Sequence, residues 1–164
     1  SMAADRTPWV AMILADSDAL VTAAAARALA IPGAGDDHGV DPFLEHTMNA
    51  DDPATRAAAA VAVIRRGATG LALAVEGLFS RGDDRVMSDV LLALLDGADP
   101  AFSGLVSAGL KAELPLAREA AVDAAAASCQ PELKELMTGL LADEDPHVAV
   151  RAASALYLLV GAEK

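Results

Sequence analysis

The sequence predicts an all-α solenoid of about five stacked helix pairs, and three observations carry that reading. Of the 164 residues, 40 are Ala and only 5 are aromatic, although 54% are apolar. Such a composition packs helices closely but cannot easily fill a sandwich or barrel, where β-branched and aromatic side chains dominate. Turn signals recur at a constant interval: Asp52-Pro53, Asp83-Asp84, Leu114-Pro115 and Asp145-Pro146 have second members 31 residues apart each time. An Ala- or Leu-rich stretch of helical periodicity follows every one of them.

The elements follow in order as pairs near 8–30, 41–66, 69–96, 100–128 and 131–160. In the first pair, LADSDALVTAAAARAL at 14–29 aligns with LADEDPHVAVRAASAL at 141–156, with 9 of 16 positions identical. The second pair opens at Asp41-Pro42, and its second helix opens at Asp52-Pro53. An aspartate can cap free backbone N–H groups, and proline suits the first helical position. From Ala19 to Pro53 the interval is 34, so extra chain lies between the first two copies. The third pair joins GLALAVEGLF at 70–79 to VMSDVLLALL at 86–95, the fourth joins PAFSGLVSAGL at 100–110 to the helix after Pro115, and the fifth starts at Gln130-Pro131. Gly67, Gly82 and Gly97 fall at junctions between helices, where a C-terminal cap favours positive φ.

A lone helix pair of this composition cannot bury its apolar face. Stacking identical pairs makes that face continuous, each unit touching only its neighbours. At about 10 Å per stacked pair, the array would be about 50 Å long. A closed helical bundle is the competing architecture, but it gives no reason for a constant interval.

The stretch DEDPHVAVRAASAL at 143–156 is similar to the short bacterial HEAT-like repeat of the phycobilisome-lyase type; DPATRAAAA at 52–60 and LPLAREAA at 114–121 resemble weaker copies. The resemblance implies a right-handed, armadillo-like superhelix covering nearly the whole chain as a single domain. It also implies a ladder of ion pairs between turn Asp and following Arg, with Asp52, Arg56, Arg118, Asp145 and Arg151 as members. Met87 stands where Arg56 and Arg118 stand in other copies, and Arg151 comes two positions late, so an incomplete ladder is expected.

Charge narrows the function. Twelve Lys and Arg face 24 Asp and Glu, a formal net charge of −12. That argues against nucleic acid and against anionic membranes, both of which are gripped through cationic side chains. The uncharged stretches are too short to cross a bilayer. One cysteine, Cys129, excludes an internal disulfide, and its place at a helix end without a basic neighbour makes it a structural thiol. Asp36, Asp37 and His38, with Asp41, Glu45 and His46 beyond them, could hold a divalent metal. The bland reading is preferred: a solvated glycine-rich loop, then acids at a helix start where the dipole favours them. The di-iron hydroxylases of HEAT-like architecture carry His-Glu pairs, whereas here the order is reversed, Glu45-His46. Neither cofactor nor catalytic residue is expected. Ser1-Met2 reads as a remnant of tag removal, no signal peptide is visible, and the apolar last helix fits equally a piece of a longer protein or a natural terminus that frays.

Second helices of such solenoids usually line the concave side. Aligned by the interval, positions 63, 94, 125 and 156 read Val, Leu, Ala, Leu and mark the core. Mixed columns mark the exposed face, and they place Arg85, Asp89, Asp123, His147, Arg151 and Ser154 around a groove with an Ala/Leu floor. A groove of that kind suits a peptide or helix. The function expected is therefore non-catalytic protein–protein interaction, by a bacterial, cytoplasmic scaffold, adaptor or regulatory subunit. The alternative is a lyase, or lyase subunit, of the phycobilin-lyase type, holding a tetrapyrrole or an enzyme partner. The last helix, with ALYLLV at 155–160 apolar nearly all round, also suggests end-to-end association of copies.

Overall fold

In the computed structural model, residues 12–13, 18–30, 40–95, 99–128 and 130–162 are described, and no strand occurs among them. Their helices are α1 (Ala19–Leu29), α2 (Val40–Thr47), α3 (Pro53–Arg66), α4 (Ala72–Phe79), α5 (Asp84–Leu94), α6 (Ser103–Gly109), α7 (Pro115–Ser128), α8 (Pro131–Gly139) and α9 (Pro146–Ala162). The fold class is all-α, as composition and periodicity imply.

Local chemistry sets the boundaries. The Asp52 carboxylate accepts the Thr55 N–H at 2.8 Å, and Asp145 accepts the His147 N–H at 2.8 Å, each capping the helix that proline opens. Asp83 accepts from Arg85 N at 3.0 Å and Val86 N at 3.3 Å. Gly67 ends α3 at φ 66°, and Gly82 lies before α5 at φ 73°, both in the left-handed region expected of junction glycines. Gly97 lies outside the described residues. One start differs from the sequence reading: α2 begins at Val40, so Asp41 sits inside its first turn instead of capping it. Single 3-10 turns, Thr69–Leu71 and Pro100–Phe102, lead into α4 and α6, and Leu140–Ala142 follows α8.

The chain divides into two compact units, Ser1–Val90 and Leu91–Lys164. In the first, α3 is the hub, with α1, α2 and α4 packed on it. Its Ala57, Ala59, Ala60 and Ala62 are fully buried, and Phe43, Leu44, Val63 and Val75 fill the space around them. Each large apolar side chain removed from water contributes about 1.5–3 kcal/mol. The Thr55 hydroxyl lies 2.7 Å from Asp52 Oδ2 and 3.1 Å from the Ala19 carbonyl, so its one proton is shared between the cap and the start of α1.

In the second unit, α7 packs against α6, α8 and α9, and α9 also packs on α8. Leu91, Leu94, Phe102, Leu105 and Met137 are buried with Ala121, Ala124, Ala125 and Ala152. Approach is closest at Gly109, where an added Cβ would lie 2.8 Å from Ala121 Cβ and 2.9 Å from Leu91 Cδ2. The core column holds at Val63, Leu94 and Ala125, all buried, while Leu156 is only half-buried.

Two arginines 62 positions apart, twice the sequence interval, perform the same task. Arg56 Nη1 donates to the carbonyls of Ala50 at 2.9 Å and Asp51 at 2.7 Å, while Nη2 reaches Asp83 Oδ2 at 2.6 Å. Arg118 Nη1 donates to the carbonyls of Ala112 and Glu113, both at 2.8 Å, while Nε and Nη2 grip Asp143 as a fork, each at 2.8 Å. Each guanidinium therefore staples its own turn and binds the turn that opens the next second helix. The remaining ladder candidates act otherwise: Asp52 and Asp145 cap their own helices, and Arg151 turns to α7. Met87 has no charge to supply a rung, which accounts for the gap between the two clamps.

The carboxyls involved respond accordingly. Hydrogen bonds from Arg118 hold Asp143 below the ordinary carboxyl range, and burial opposes them only in part. Burial pushes Asp83 up, but the bonds from Arg56 and from the Val86 and Arg85 N–H groups outweigh it and leave it lowered. The Thr55 hydroxyl and N–H lower Asp52.

Candidate functional site

Helices α7 and α9 enclose a cleft of about 560 Å³ in the second unit, lined by Glu119, Asp123 and Ala126 from α7 and by His147, Val150, Arg151, Ser154, Ala155 and Leu158 from α9. Both helices bury one side in the core, through Ala117, Ala121 and Ala124 on α7 and Val148, Ala152 and Ala155 on α9. The residues one helical step round from those sets point to the cleft. Alanine is the reason a cleft exists: at Ala126 and Ala155 there is no bulk to close the space between the two helices.

One charge network organises the rim. Arg151 Nη1 donates to Asp123 Oδ2 at 2.8 Å and Oδ1 at 3.1 Å, and its Nε lies 3.6 Å from Glu119 Oε2. The network is half-exposed, at 47% for the Arg151 side chain and 36% for Asp123. Its value to stability is therefore small, about 0–1 kcal/mol, and its charges stand accessible to a ligand. The Ser154 hydroxyl donates to the Val150 carbonyl at 2.9 Å, leaving its lone pairs toward the cleft as acceptors. Val150 and Leu158 are 66% and 69% exposed, large apolar surfaces for a helix in a folded domain.

Of the six residues that the sequence columns single out, Asp123, His147, Arg151 and Ser154 come together here. Arg85 and Asp89 lie on α5 in the first unit, paired to each other by an Nε–Oδ2 contact of 2.7 Å. Ala58, from one of the same columns, is buried, because α3 is covered more completely than the other second helices. Glu119, Val150 and Leu158 were missed, yet their columns are equally mixed: 57, 88, 119 and 150 read Ala, Ser, Glu, Val, and 65, 96, 127 and 158 read Arg, Asp, Ala, Leu.

The cleft offers apolar area, a serine acceptor, an imidazole and a net excess of carboxylate, which is an inventory for holding a side chain or a helix. Among the described residues no cluster of three or more His, Cys, Asp or Glu is placed to hold a metal ion, and no helix is long and apolar enough to cross a membrane. The loop residues Asp36, Asp37 and His38, and Cys129, lie outside the described residues. Compared with known proteins, the chain matches no family model and no curated protein.

Proposed function

We propose that the chain is a HEAT-like interaction module, a right-handed solenoid of helix pairs that serves as a cytoplasmic scaffold or adaptor without chemistry of its own. The α7–α9 cleft is its peptide- or helix-binding groove. The observation that carries this reading is the coincidence of exposed Val150 and Leu158 with the Glu119–Arg151–Asp123 network on one side of two adjacent helices. Apolar contact at the floor supplies affinity, and rim charges set register and exclude wrong partners. Support for the stacking comes from within the units: α1 packs on α3 and α7 on α9, so a second helix of one pair meets the second helix of the next. The paired clamps at Arg56 and Arg118 repeat at twice the same interval.

The test is a displayed peptide library panned on the purified chain, with each enriched peptide titrated by fluorescence anisotropy. Binders should be weakened at least tenfold by Leu158→Asp and by Ser154→Arg, and left unchanged by Leu73→Asp, a control on exposed α4 surface. Absence of enriched peptides, or binders indifferent to both cleft substitutions, would refute the groove.

A further inference from the structure

We infer that the partner segment of the α7–α9 cleft is a basic amphipathic helix, which sets a Lys or Arg against Glu119 and a large apolar side chain against Leu158. The inference rests on the cleft being a groove for protein segments, and it names the chemistry of the occupant. Two carboxylates, Glu119 and Asp123, line the cleft beside one guanidinium, that of Arg151. Arg151 is committed to Asp123, with Nη1 at 2.8 and 3.1 Å from its two carboxylate oxygens. Toward Glu119 its Nε comes no nearer than 3.6 Å, longer than a hydrogen bond. Glu119 therefore has the attraction of a nearby cation but no hydrogen bond from it, and its side chain is already reduced to 21% exposure.

Covering the cleft decides what can lie on it. A neutral or acidic segment would strip the remaining water from Glu119 and leave the carboxylate without a donor, a cost set against every apolar contact made beside it. A Lys or Arg supplies the missing donor and turns the same burial into a charge-assisted bond. The surrounding field has the same sign. From Leu91 to Lys164 eleven Asp and Glu stand against five Lys and Arg, and one of those five, Arg118, is buried in its clamp. An acidic segment is repelled on approach and a cationic one is attracted. Spacing follows from α9. Arg151, which meets Glu119, and Leu158 are seven residues apart, about 10 Å along the helix. Two turns of a partner helix cover the same distance, so its basic and apolar residues fall at i and i+7.

A displayed library of helical peptides, balanced in Lys, Arg, Asp and Glu and panned on the whole chain, tests the inference. The probes are the enriched peptides whose binding, read by fluorescence anisotropy, is lost in Leu158→Asp. They should carry Lys or Arg seven residues from a large apolar residue, and changing that cation to Gln should weaken binding about tenfold. Glu119→Gln should abolish the difference between the two peptides, with circular dichroism unchanged. Glu132→Gln, on exposed α8 surface outside the cleft, should preserve it. Added salt should shrink the preference. Cleft-dependent peptides that are neutral or acidic would overturn the inference and leave the groove standing. So would a change from Lys to Gln without effect, or a preference that survives Glu119→Gln. A library yielding no cleft-dependent peptide would overturn the groove itself, and the inference with it.

Discussion

Arg118 offers the sharpest test of how the helix pairs are joined. Its side chain is 8% exposed and that of Asp143 is 6% exposed. The guanidinium makes two bonds to the carboxylate and two to carbonyls. Arg118→Met is the natural perturbation, since Met87 occupies the same position one interval earlier. The aliphatic stem is kept and only the charge and the donors are lost. Breaking a buried pair from one side costs about 3–5 kcal/mol. Two features bring the figure to the lower end: Asp143 retains the Asp145 N–H at 2.9 Å, and Glu113 is exposed enough for water to reach its carbonyl. A loss of about 3 kcal/mol corresponds to a fall in Tm of about 6–12 °C for a chain of this size. Urea denaturation followed by circular dichroism measures it. Arg56→Met provides the comparison. That clamp has a single bond to Asp83, side chains 16% and 17% exposed, and a buried Nε with no hydrogen-bond partner, so about 1–2 kcal/mol is expected. Equal losses for the two variants, or a loss below about 0.5 kcal/mol for Arg118→Met, would refute the clamp as the joint.

Acid should weaken the fold through the same groups. Asp143, Asp83 and Asp52 are all lowered from the ordinary carboxyl value of 3.8, so the folded chain binds protons less readily than the unfolded chain. Their stabilisation is complete above that value and is lost as pH falls through the lowered folded values. Denaturation midpoints should therefore be flat from pH 7 to 5 and drop below about pH 4, and Arg118→Met should flatten the drop. Gly109→Ala should destabilise by about 1–3 kcal/mol, because the clash with Ala121 and Leu91 exceeds the helix-propensity gain of about 1 kcal/mol; a rise in urea midpoint would contradict the close approach. Gly67→Ala, at φ 66° with nothing within 4 Å of the new Cβ, should cost about 1 kcal/mol from backbone conformation alone. Gly67→Asn should recover part of that loss, since Asn tolerates the left-handed region.

The all-α class, the helix starts at Asp52-Pro53 and Asp145-Pro146 and the junction glycines Gly67 and Gly82 were legible in the linear sequence, because capping and φ preference are decided within a few residues. The interval of 31 likewise located the second helices, and four of the six residues it singled out line the α7–α9 cleft, since a constant repeat carries a helical face from one copy to the next. It could not show that Arg151 is held by Asp123 and Glu119, or that Arg118 takes Asp143, which was not among the expected ladder members. Those choices depend on how α9 and the turn before it pack against α7, a contact between segments far apart in sequence. Nor could it show which apolar residues stay uncovered. Val150 and Leu158 are as apolar as the buried residues of α7, and only the placement of the neighbouring helices around α9 leaves them in water.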